Sequence, residues 1–463
     1  MGQATEIDQI VSMNPAEPEQ VVASVPVMGA AALDRRIEAA SGAWPEWAAD
    51  AAARANALQR WAERVAGDAT ALAALVSDEV GKPIGEARAE VARTVAILRY
   101  YAQAAFDRIA ELLPGSTPYS RTMVERRPLG VVAAICPWNF PLAIPAWKLG
   151  PALAYGNAVL FKPSSDAVGS GERLTELARP DLPEQLLTLV PARGADADAL
   201  FDDDRVSGVS FTGSSAVGRR VVARVAARGG AVQAEMGGQN ASIVLEDADL
   251  DHAAITIAAA AMGYAGQKCT ATRRVIVSRP VAETFIERLS ARVNSLQVGD
   301  PRAEATDVGP VIHESAQREV RSAIAQALDR GAELVAGGET VDRQGWFVRP
   351  TLIRVDDPTD AFVQEETFGP AAAIMVVDST DEALRIANGT RFGLAAAVFS
   401  TDVNRAEHLA ARLTAGMVRV NGSTTGADFW VPFGGDGASS YGPREQGRAA
   451  REFYTRTRTI TMG

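Results

Sequence analysis

The chain has 463 residues, 47% of them hydrophobic and 22% charged, proportions typical of a soluble globular protein with two or three domains. A net charge of −11 argues against nucleic acid as a partner, because phosphate contacts need clustered Lys and Arg. Two cysteines and three histidines exclude a disulfide framework and a Cys/His metal cluster, so we expect a reducing, cytoplasmic setting.

Helical periodicity dominates the first part of the chain. Residues 31–113 are rich in Ala, Leu and Arg and carry apolar residues at the spacing of amphipathic helices. From residue 130 onwards, short apolar runs bounded by Gly, Pro or Ser alternate with helical segments, and the alternation continues after residue 269. Such alternation predicts parallel sheets covered on both faces, and the two series predict two α/β domains.

Two segments have a different pattern. Residues 120–130 (SRTMVERRPLG) and 453–462 (FYTRTRTITM) alternate polar and apolar side chains with a period of two. This pattern predicts exposed antiparallel strands, and a terminal strand of this kind can pair with the sheet edge of another subunit. The polar N-terminus lacks the features of a secretion signal, and no run approaches the ~18 apolar residues of a membrane span.

Polar side chains follow several strands, at the place where open α/β sheets bind ligands. Asn139 follows the run GVVAAICP in a Pro-bounded loop, and its amide suits a developing oxyanion or an ordinary turn. Lys162 ends the run AVLFK, where it suits a phosphate or a ribose, although an isolated lysine is more often on the surface. Glu235 ends a strand before two glycines, a position that suits either a cleft or solvent.

Two further segments contain weak signals of anion binding and acid/base chemistry. In SFTGSSAVGRRV a strand leads into a turn and a helix, with Gly213 and Gly218 five residues apart and Ser214 as helix cap or phosphate donor. In VQEETFGP, Glu365 and Glu366 are candidates for a paired-carboxylate device.

Several segments occur together over nearly the whole chain. They are PWNFPLAIPAWKLGPALAYGNAVLFKPS, FTGS…VG, EMGGQN, GQKCTATRR, EETFGP and VNG…PFGG. In order and spacing they resemble the NAD(P)+-dependent aldehyde dehydrogenase superfamily, and the trio EMGG, GQxC and EExFGP is highly specific. The C-terminal VPFGGDGASSYGPREQGRAAREFYT is similar to the α-ketoglutarate-semialdehyde dehydrogenases in that family.

The resemblance implies that the sulfur of Cys269 attacks the aldehyde and forms a thiohemiacetal, a role that suits the strongly nucleophilic thiolate. The Asn139 amide and the backbone N–H of Cys269 would hold the oxyanion. Glu235 would activate water to hydrolyse the thioester left by hydride transfer. CoA-acylating relatives lack this glutamate, so Glu235 favours a free carboxylic acid as product. Cys136, in an apolar strand, is predicted to pack in the core.

For the cofactor, the resemblance implies NAD(P)+. The implied contacts are Trp138, Lys162, Ser164, Ser165, Gly213, Ser214, Gly218, Glu366 and Phe368. Members that prefer NAD+ commonly carry a glutamate where Ser165 stands here. A carboxylate repels a 2′-phosphate whereas a hydroxyl beside Lys162 accepts one, so we expect NADP+ to be used, alone or alongside NAD+. The neighbouring Asp166 argues the other way.

The resemblance also implies an aromatic substrate entrance. Its implied walls are Phe140, Ile144, Trp147, Tyr264, Phe433 and the loop 423–433 (STTGADFWVPF). A substrate with a carboxylate needs a cation, and Lys268 and Arg273 are candidates, the alternative being that both are surface charges. Two other functions stay open: a CoA-acylating semialdehyde dehydrogenase, and a non-catalytic relative that kept the fold.

The expected architecture is a Rossmann-like cofactor domain, an α/β catalytic domain and a small antiparallel β oligomerisation element. The expected boundaries are 1–117 with 129–235 for the cofactor domain, 236–440 for the catalytic domain, and 118–128 with 441–463 for the oligomerisation element. A homodimer or homotetramer is the assembly that the resemblance implies. A small-molecule aldehyde is the expected partner, and no nucleic acid, membrane or metal is expected.

Overall fold

The computed structural model describes residues 8–462. Its α-helices, in chain order, are α1 (Ala30–Ala49), α2 (Ala51–Gly67), α3 (Ala69–Val80), α4 (Ile84–Ala104), α5 (Ala143–Ala154), α6 (Val168–Ala178), α7 (Ala199–Asp202), α8 (Ser215–Ala227), α9 (Leu250–Met262), α10 (Ala282–Asn294), α11 (Glu314–Asp329), α12 (Ala361–Gln364), α13 (Thr380–Ala387), α14 (Val403–Ala410) and α15 (Ala450–Tyr454).

The strands of the same residues form several sheets. They are β1 (Gln9–Asn14), β2 (Glu17–Pro26), β3 (Ala110–Pro114), β4 (Arg121–Pro128), β5 (Val131–Ile135), β6 (Ala158–Lys162), β7 (Leu187–Leu189), β8 (Val206–Thr212), β9 (Ala231–Glu235), β10 (Asn240–Val244), β11 (Thr272–Ser278), β12 (Glu333–Ala336), β13 (Thr351–Arg354), β14 (Ala371–Val377), β15 (Phe392–Gly393), β16 (Ala395–Phe399), β17 (Met417–Val420), β18 (Asp436–Gly437), β19 (Ser440–Tyr441) and β20 (Thr455–Met462).

The helical first part of the chain packs through apolar stripes. In α2 the side chains of Leu58, Trp61, Ala62 and Val65 are buried, at the i, i+3, i+4, i+7 spacing of one helix face. Asp50 begins this helix, because its carboxylate accepts the N–H of residue 53 at 2.8 Å. Each fully buried Leu or Val side chain of such a stripe contributes about 1.5–3 kcal/mol relative to exposure.

A six-stranded sheet carries most of the predicted cofactor residues. Its order is β19-β9-β8-β5-β6-β7, and all neighbours run parallel except β19, which pairs antiparallel with β9. The chain continues from β5 to β6 on one side and returns to β8 on the other. The strand order therefore reverses between β5 and β8, the place where α/β sheets open a crevice at the strands' carboxyl ends.

A seven-stranded sheet forms the second layer, with the order β12-β13-β14-β11-β10-β16-β17 and only β12 antiparallel. Each sheet has its own apolar core. Cys269 lies between α9 and β11, at the side of the second sheet that faces the first sheet's crevice. The predicted α/β fold class is thus confirmed.

The third sheet is antiparallel, with the order β20-β4-β3. Strands β4 and β20 occupy the two segments with alternating patterns, but β3 falls within the range predicted to be helical. The residues of β3 are all exposed, so they have no buried apolar face that would stabilise a helix. Their backbone groups pair with the edge of β4 instead. Within residues 8–462, every helix is too short or too polar to cross a bilayer.

Candidate active site

A cavity of about 360 Å³ lies between the two large sheets, at the carboxyl ends of β5 and β8. Eight residues singled out from the sequence line it together: Trp138, Asn139, Ile144, Gly213, Ser214, Cys269, Glu366 and Phe368. They are distant along the chain and come from both large sheets. Volume and lining suit a small-molecule site.

Cys269 follows a turn with an unusual backbone. Tyr264, Ala265 and Gly266 have φ values of 52°, 50° and 66°, in the left-handed region that costs free energy for residues with a Cβ. Gly266 has no substitute here, because a Cβ on it would lie 2.1 Å from the carbonyl oxygen of Gly369. The turn leaves the Cys269 thiol half-buried on the cavity wall.

Arg273 stabilises this turn. It was predicted to be either a cation that binds the substrate or a surface charge. Its side chain is buried at 2% exposure and donates to the backbone carbonyls of Gly266 and Gly369. Burial lowers the pKa of Arg273 to about 10. It is therefore neither a surface charge nor a cation facing the substrate. The other candidate cation, Lys268, pairs with Glu86 at 2.7 Å.

The surroundings of Cys269 favour the protonated thiol. Burial of the sulfur, followed by the negative charges of Glu366 and Glu235, raises the pKa of Cys269 to about 12. The backbone N–H groups of residues 269 and 270 act in the opposite direction. The thiol needs a base to become a nucleophile at neutral pH.

Alkylation of Cys269 by iodoacetamide is expected to be slow at neutral pH and to rise about tenfold per pH unit up to pH 10, since only the thiolate reacts. Glu366→Gln removes the largest neighbouring charge, so it lowers the pKa of the thiol and speeds alkylation at pH 8 by about tenfold. Peptide mass spectrometry measures the modified fraction.

Glu365→Gln is the matched control for that experiment. The Glu365 carboxylate is exposed and pairs with Arg391 through two bonds of 2.6 Å, away from the thiol. Its removal leaves the alkylation rate within about twofold of the native rate. Equal acceleration by both variants, or a rate that is flat between pH 7 and pH 10, would contradict the assigned cause.

Asn139 lies next to Cys269 and is held by buried groups. Its Nδ2 donates to the carbonyl of Gln267 at 2.9 Å, which leaves the second hydrogen of the amide free. Lys82 donates to the Asn139 carbonyl at 2.8 Å and forms a buried ion pair with Glu90. Within residues 8–462 the backbone N–H of Cys269 donates to no backbone carbonyl. Two donors are thus available beside the sulfur.

Glu90 fixes the Asn139 loop from the other side. Its Oε1 accepts the N–H groups of Leu142 and Ala143 at 2.9 and 3.0 Å, at the start of α5. The sequence analysis missed both Lys82 and Glu90, since a lysine and a glutamate near helix α4 look like solvated charges. Lys82 lies in the short connection between α3 and α4 and Glu90 lies on α4, and neither position carries a sequence signal of burial.

Glu235 lies behind the cavity wall, at the end of β9. Its Oε2 accepts the Ser440 hydroxyl at 2.5 Å, while Met236 and Gly237, which follow it, line the cavity. Gly434 leaves room for the carboxylate, because a Cβ there would lie 2.7 Å from Oε1 of Glu235. The structure brings Glu235 near Cys269 but turns its carboxylate towards Ser440.

The pKa of Glu235 is raised well above its usual value by burial and then by the charge of Glu445. The hydrogen bond from Ser440 and the charge of Lys148 lower it again. Lys148 and Glu445 form a buried ion pair. The Ser210 hydroxyl beside it accepts a hydrogen bond from Lys148 and donates one to Glu445. A raised pKa suits a general base that must accept a proton near neutral pH.

The residues at the crevice fit a dinucleotide. Helix α8 begins directly after Ser214 on the cavity wall, so its N-terminal N–H groups suit a pyrophosphate. The hydroxyls of Thr212 and Ser215 are buried and have no partner among residues 8–462, as expected where a polar ligand supplies one. Lys162 ends β6 and forms no ion pair with a described residue.

The remaining predicted cofactor residues differ in their surroundings. The hydroxyl of Ser164 donates to Asp166 at 3.2 Å and caps the short turn after β6, whereas Ser165 is half-buried with no such bond. Gly218 does not line the cavity; a Cβ on it would lie 2.6 Å from the sulfur of Met236. It therefore allows α8 to pack closely on the sheet.

Glu366 and Phe368 close the other side of the cavity. The Glu366 carboxylate accepts the N–H of Gly238 at 3.1 Å, and burial raises its pKa. Phe368 packs edge-to-face on Trp138 with ring centroids 5.7 Å apart. No group of three or more His, Cys, Asp or Glu side chains suited to a metal ion is present in the described part of the chain.

The predicted entrance residues form two aromatic pairs. Trp147 and Phe433 pack with ring centroids 5.5 Å apart, and Phe140 packs on Tyr264 at 6.3 Å. Tyr264 differs from its predicted role, because it is fully buried and its hydroxyl donates to the Val80 carbonyl at 3.1 Å. It supports Phe140 from behind rather than lining the entrance.

Comparison with known proteins shows the family of the chain. Residues 3–460 match the model of the aldehyde dehydrogenase family. The chain belongs to the aldehyde dehydrogenase family. The resemblance drawn from the sequence segments is confirmed, and this aldehyde dehydrogenase oxidises an aldehyde to the acid with NAD(P)+.

Three relatives illustrate the range of this family. Alpha-ketoglutaric semialdehyde dehydrogenase of Bacillus subtilis is 37% identical over 98% of this chain and 94% of its own. The NADP(+) succinate-semialdehyde dehydrogenase GabD of Escherichia coli is 36% identical over 97% and 92%. The crystal structure of betaine aldehyde dehydrogenase from Staphylococcus aureus with NAD+ superposes with a TM-score of 0.95 at 29% identity, covering 100% of this chain and 92% of that one.

Proposed function

We propose that this aldehyde dehydrogenase acts on a semialdehyde with a distal carboxylate, α-ketoglutaric semialdehyde first, and that it uses NADP+, alone or alongside NAD+. The name of the Bacillus subtilis relative and the similar C-terminal segment support the substrate class. The observation that carries the proposed chemistry is the shared cavity of Cys269 and Asn139, with Glu235 directly behind its wall.

In the proposed mechanism Cys269 is the nucleophile. Glu235 takes the thiol proton, and the sulfur adds to the aldehyde carbon to form a thiohemiacetal. The free amide hydrogen of Asn139 and the backbone N–H of Cys269 donate to the oxyanion. Both donors are fixed before the reaction, because Lys82 and Glu90 hold the Asn139 loop and Arg273 holds the turn before Cys269.

Bound NAD(P)+ supplies the hydride acceptor. Loss of the hydride leaves a thioester on Cys269. Glu235 releases the thiol proton to solvent and, as a carboxylate again, takes a proton from a water molecule that attacks the thioester carbon. The C–S bond then breaks, the acid leaves, and the proton on Glu235 returns to the sulfur. For both proton transfers the side chain of Glu235 rotates away from Ser440. The presence of Glu235 favours water over coenzyme A as the acyl acceptor.

The proposed cofactor contacts divide into two groups. Lys162 and Ser165 hold the adenosine ribose, where a hydroxyl in place of a carboxylate tolerates the 2′-phosphate of NADP+. Ser214 and the start of α8 hold the pyrophosphate, and Glu366 binds the ribose of the nicotinamide. Trp138 and Phe368 pack beside the ring.

We also propose a cytoplasmic homodimer or homotetramer. The sheet β20-β4-β3 supports this assembly, since its edge strand β3 leaves the side chains of Leu112 and Leu113 exposed. Two free cysteines, one of them in the active site, support a reducing compartment.

Steady-state kinetics test the proposed function. We expect kcat/KM for α-ketoglutaric, succinic or glutaric semialdehyde to exceed that for benzaldehyde and butanal by at least about tenfold, a difference of about 1.4 kcal/mol. With the preferred semialdehyde, turnover is expected with NADP+, alone or alongside NAD+, when kcat/KM is measured with both cofactors. Preference for uncharged aldehydes would overturn the substrate class, and strict use of NAD+ would overturn the inference from Ser165.

A further inference from the structure

We propose that Arg93 is the specificity-determining cation that binds the distal carboxylate of the substrate. This inference rests on the proposed function, because it concerns the charged end of the semialdehyde. Arg93 belongs to helix α4 and is half-buried. The sequence analysis did not consider it, since one arginine among several on a helix gives no signal.

Arg93 lies on α4 close to the residue that holds the Asn139 loop. It lies one helical turn after Glu90, on the same face of the helix. Glu90 is the group that accepts the N–H groups of Leu142 and Ala143 and pairs with Lys82 behind Asn139. Arg93 therefore lies on the helix that also holds the loop of Asn139, the proposed oxyanion donor.

The loop 423–433, called the entrance loop here, packs against α4 and brings the carboxylate of Asp428 near Arg93. The hydroxyl of Thr424 is hydrogen-bonded at 2.9 Å to that of Thr272, which lies three residues after Cys269. The rings of Phe429 and of Tyr100 on α4 pack with centroids 5.8 Å apart. Phe433 packs on Trp147 of α5. The loop thus joins the catalytic segment to the helices on either side of the entrance.

Arg93 has two carboxylates in its surroundings but donates to neither of them. Burial lowers the pKa of Arg93, and the carboxylates of Asp428 in the entrance loop and of Glu90 oppose that shift. No described residue forms a hydrogen bond or ion pair with its guanidinium. Both oxygens of Glu90 are already used, by Lys82 and by two backbone N–H groups.

The other cations near the nucleophile are already engaged. Lys268 pairs with Glu86, and Arg273 is used by two backbone carbonyls. Of these three cations, Arg93 is the one whose guanidinium has no hydrogen-bond or ion-pair partner among residues 8–462. A guanidinium binds a carboxylate through two parallel hydrogen bonds, and a bond of this kind is strongest where water is partly excluded.

The test compares two aldehydes of equal carbon number, succinic semialdehyde and butanal, which differ in the terminal carboxylate. Arg93→Met is expected to lower kcat/KM for succinic semialdehyde about 10- to 100-fold, mainly through KM, since a charge-assisted hydrogen bond is lost. Its kcat/KM for butanal stays within about twofold of the native value. Arg93→Lys restores part of the preference, because it restores the charge without the planar fork.

Arg99→Met is the matched control, an exposed arginine on the same helix, and it leaves the ratio of the two kcat/KM values unchanged. Equal loss of activity towards both aldehydes in Arg93→Met, or an unchanged ratio, overturns the role of Arg93. The proposed function is contradicted by a different result, equal kcat/KM values of the native enzyme for semialdehydes and uncharged aldehydes. The two failures are therefore distinguishable.

Discussion

Replacement of Cys269 by alanine is expected to abolish aldehyde oxidation, with a loss of kcat of roughly 10⁴-fold or more. Without the sulfur no covalent adduct forms, and the oxyanion donors of the Asn139 loop have no tetrahedral intermediate to bind. Absorbance of the reduced cofactor measures turnover, and fluorescence titration measures cofactor affinity, which stays within about twofold of the native value.

Cys136→Ala is the matched control. Cys136 is the other free thiol, and its side chain is only 3% exposed in the core beside β5. This variant keeps its activity, because the removed sulfur touches no reacting group. Turnover by Cys269→Ala above about 1% of the native rate would rule out the covalent mechanism. Loss of cofactor binding in the same variant would instead mean that the cavity itself is disturbed.

The second large effect is expected for Glu235→Gln. Removal of the carboxylate takes away the base for thioester hydrolysis, so kcat falls about 10²- to 10⁴-fold. In stopped-flow traces the first turnover remains visible as a burst of reduced cofactor, because an amide at this position still allows thioester formation from the small thiolate fraction. The native enzyme at saturating substrate loses activity as the pH falls through the raised pKa of Glu235.

Coenzyme A provides the control for that experiment. If water is the natural acceptor, coenzyme A leaves the steady-state rate of the native enzyme unchanged. A native rate that depends on coenzyme A would support the acylating alternative. A Glu235→Gln variant with normal steady-state turnover would show that another group activates the water.

The alternating strands and helices could be predicted because periodicity reports directly on which face is buried. Strand β3 could not, since its residues are exposed and only the partner strand β4 determines their conformation. The ends of β6 and β9 carry Lys162 and Glu235 as the sequence indicated, because ligand sites follow strand ends.

The supporting charges of the site could not be predicted. Lys82, Lys148 and Glu445 are fully or almost fully buried, yet in the sequence they look like ordinary solvated residues. Burial of a charge depends on which element packs over it, and that information lies in tertiary contacts rather than in local pattern. The same reason explains why Arg273 holds a turn and Arg93 was overlooked.

The thioester on Cys269 is the step on which the whole account depends, and intact-protein mass spectrometry detects it most directly. Glu235→Gln, mixed with succinic semialdehyde and NADP+ and quenched in acid, should gain the mass of the aldehyde less two hydrogen atoms. Peptide mapping should place that adduct on Cys269. A protein of unchanged mass that has nevertheless produced the reduced cofactor, or an adduct on any other residue, would contradict the mechanism.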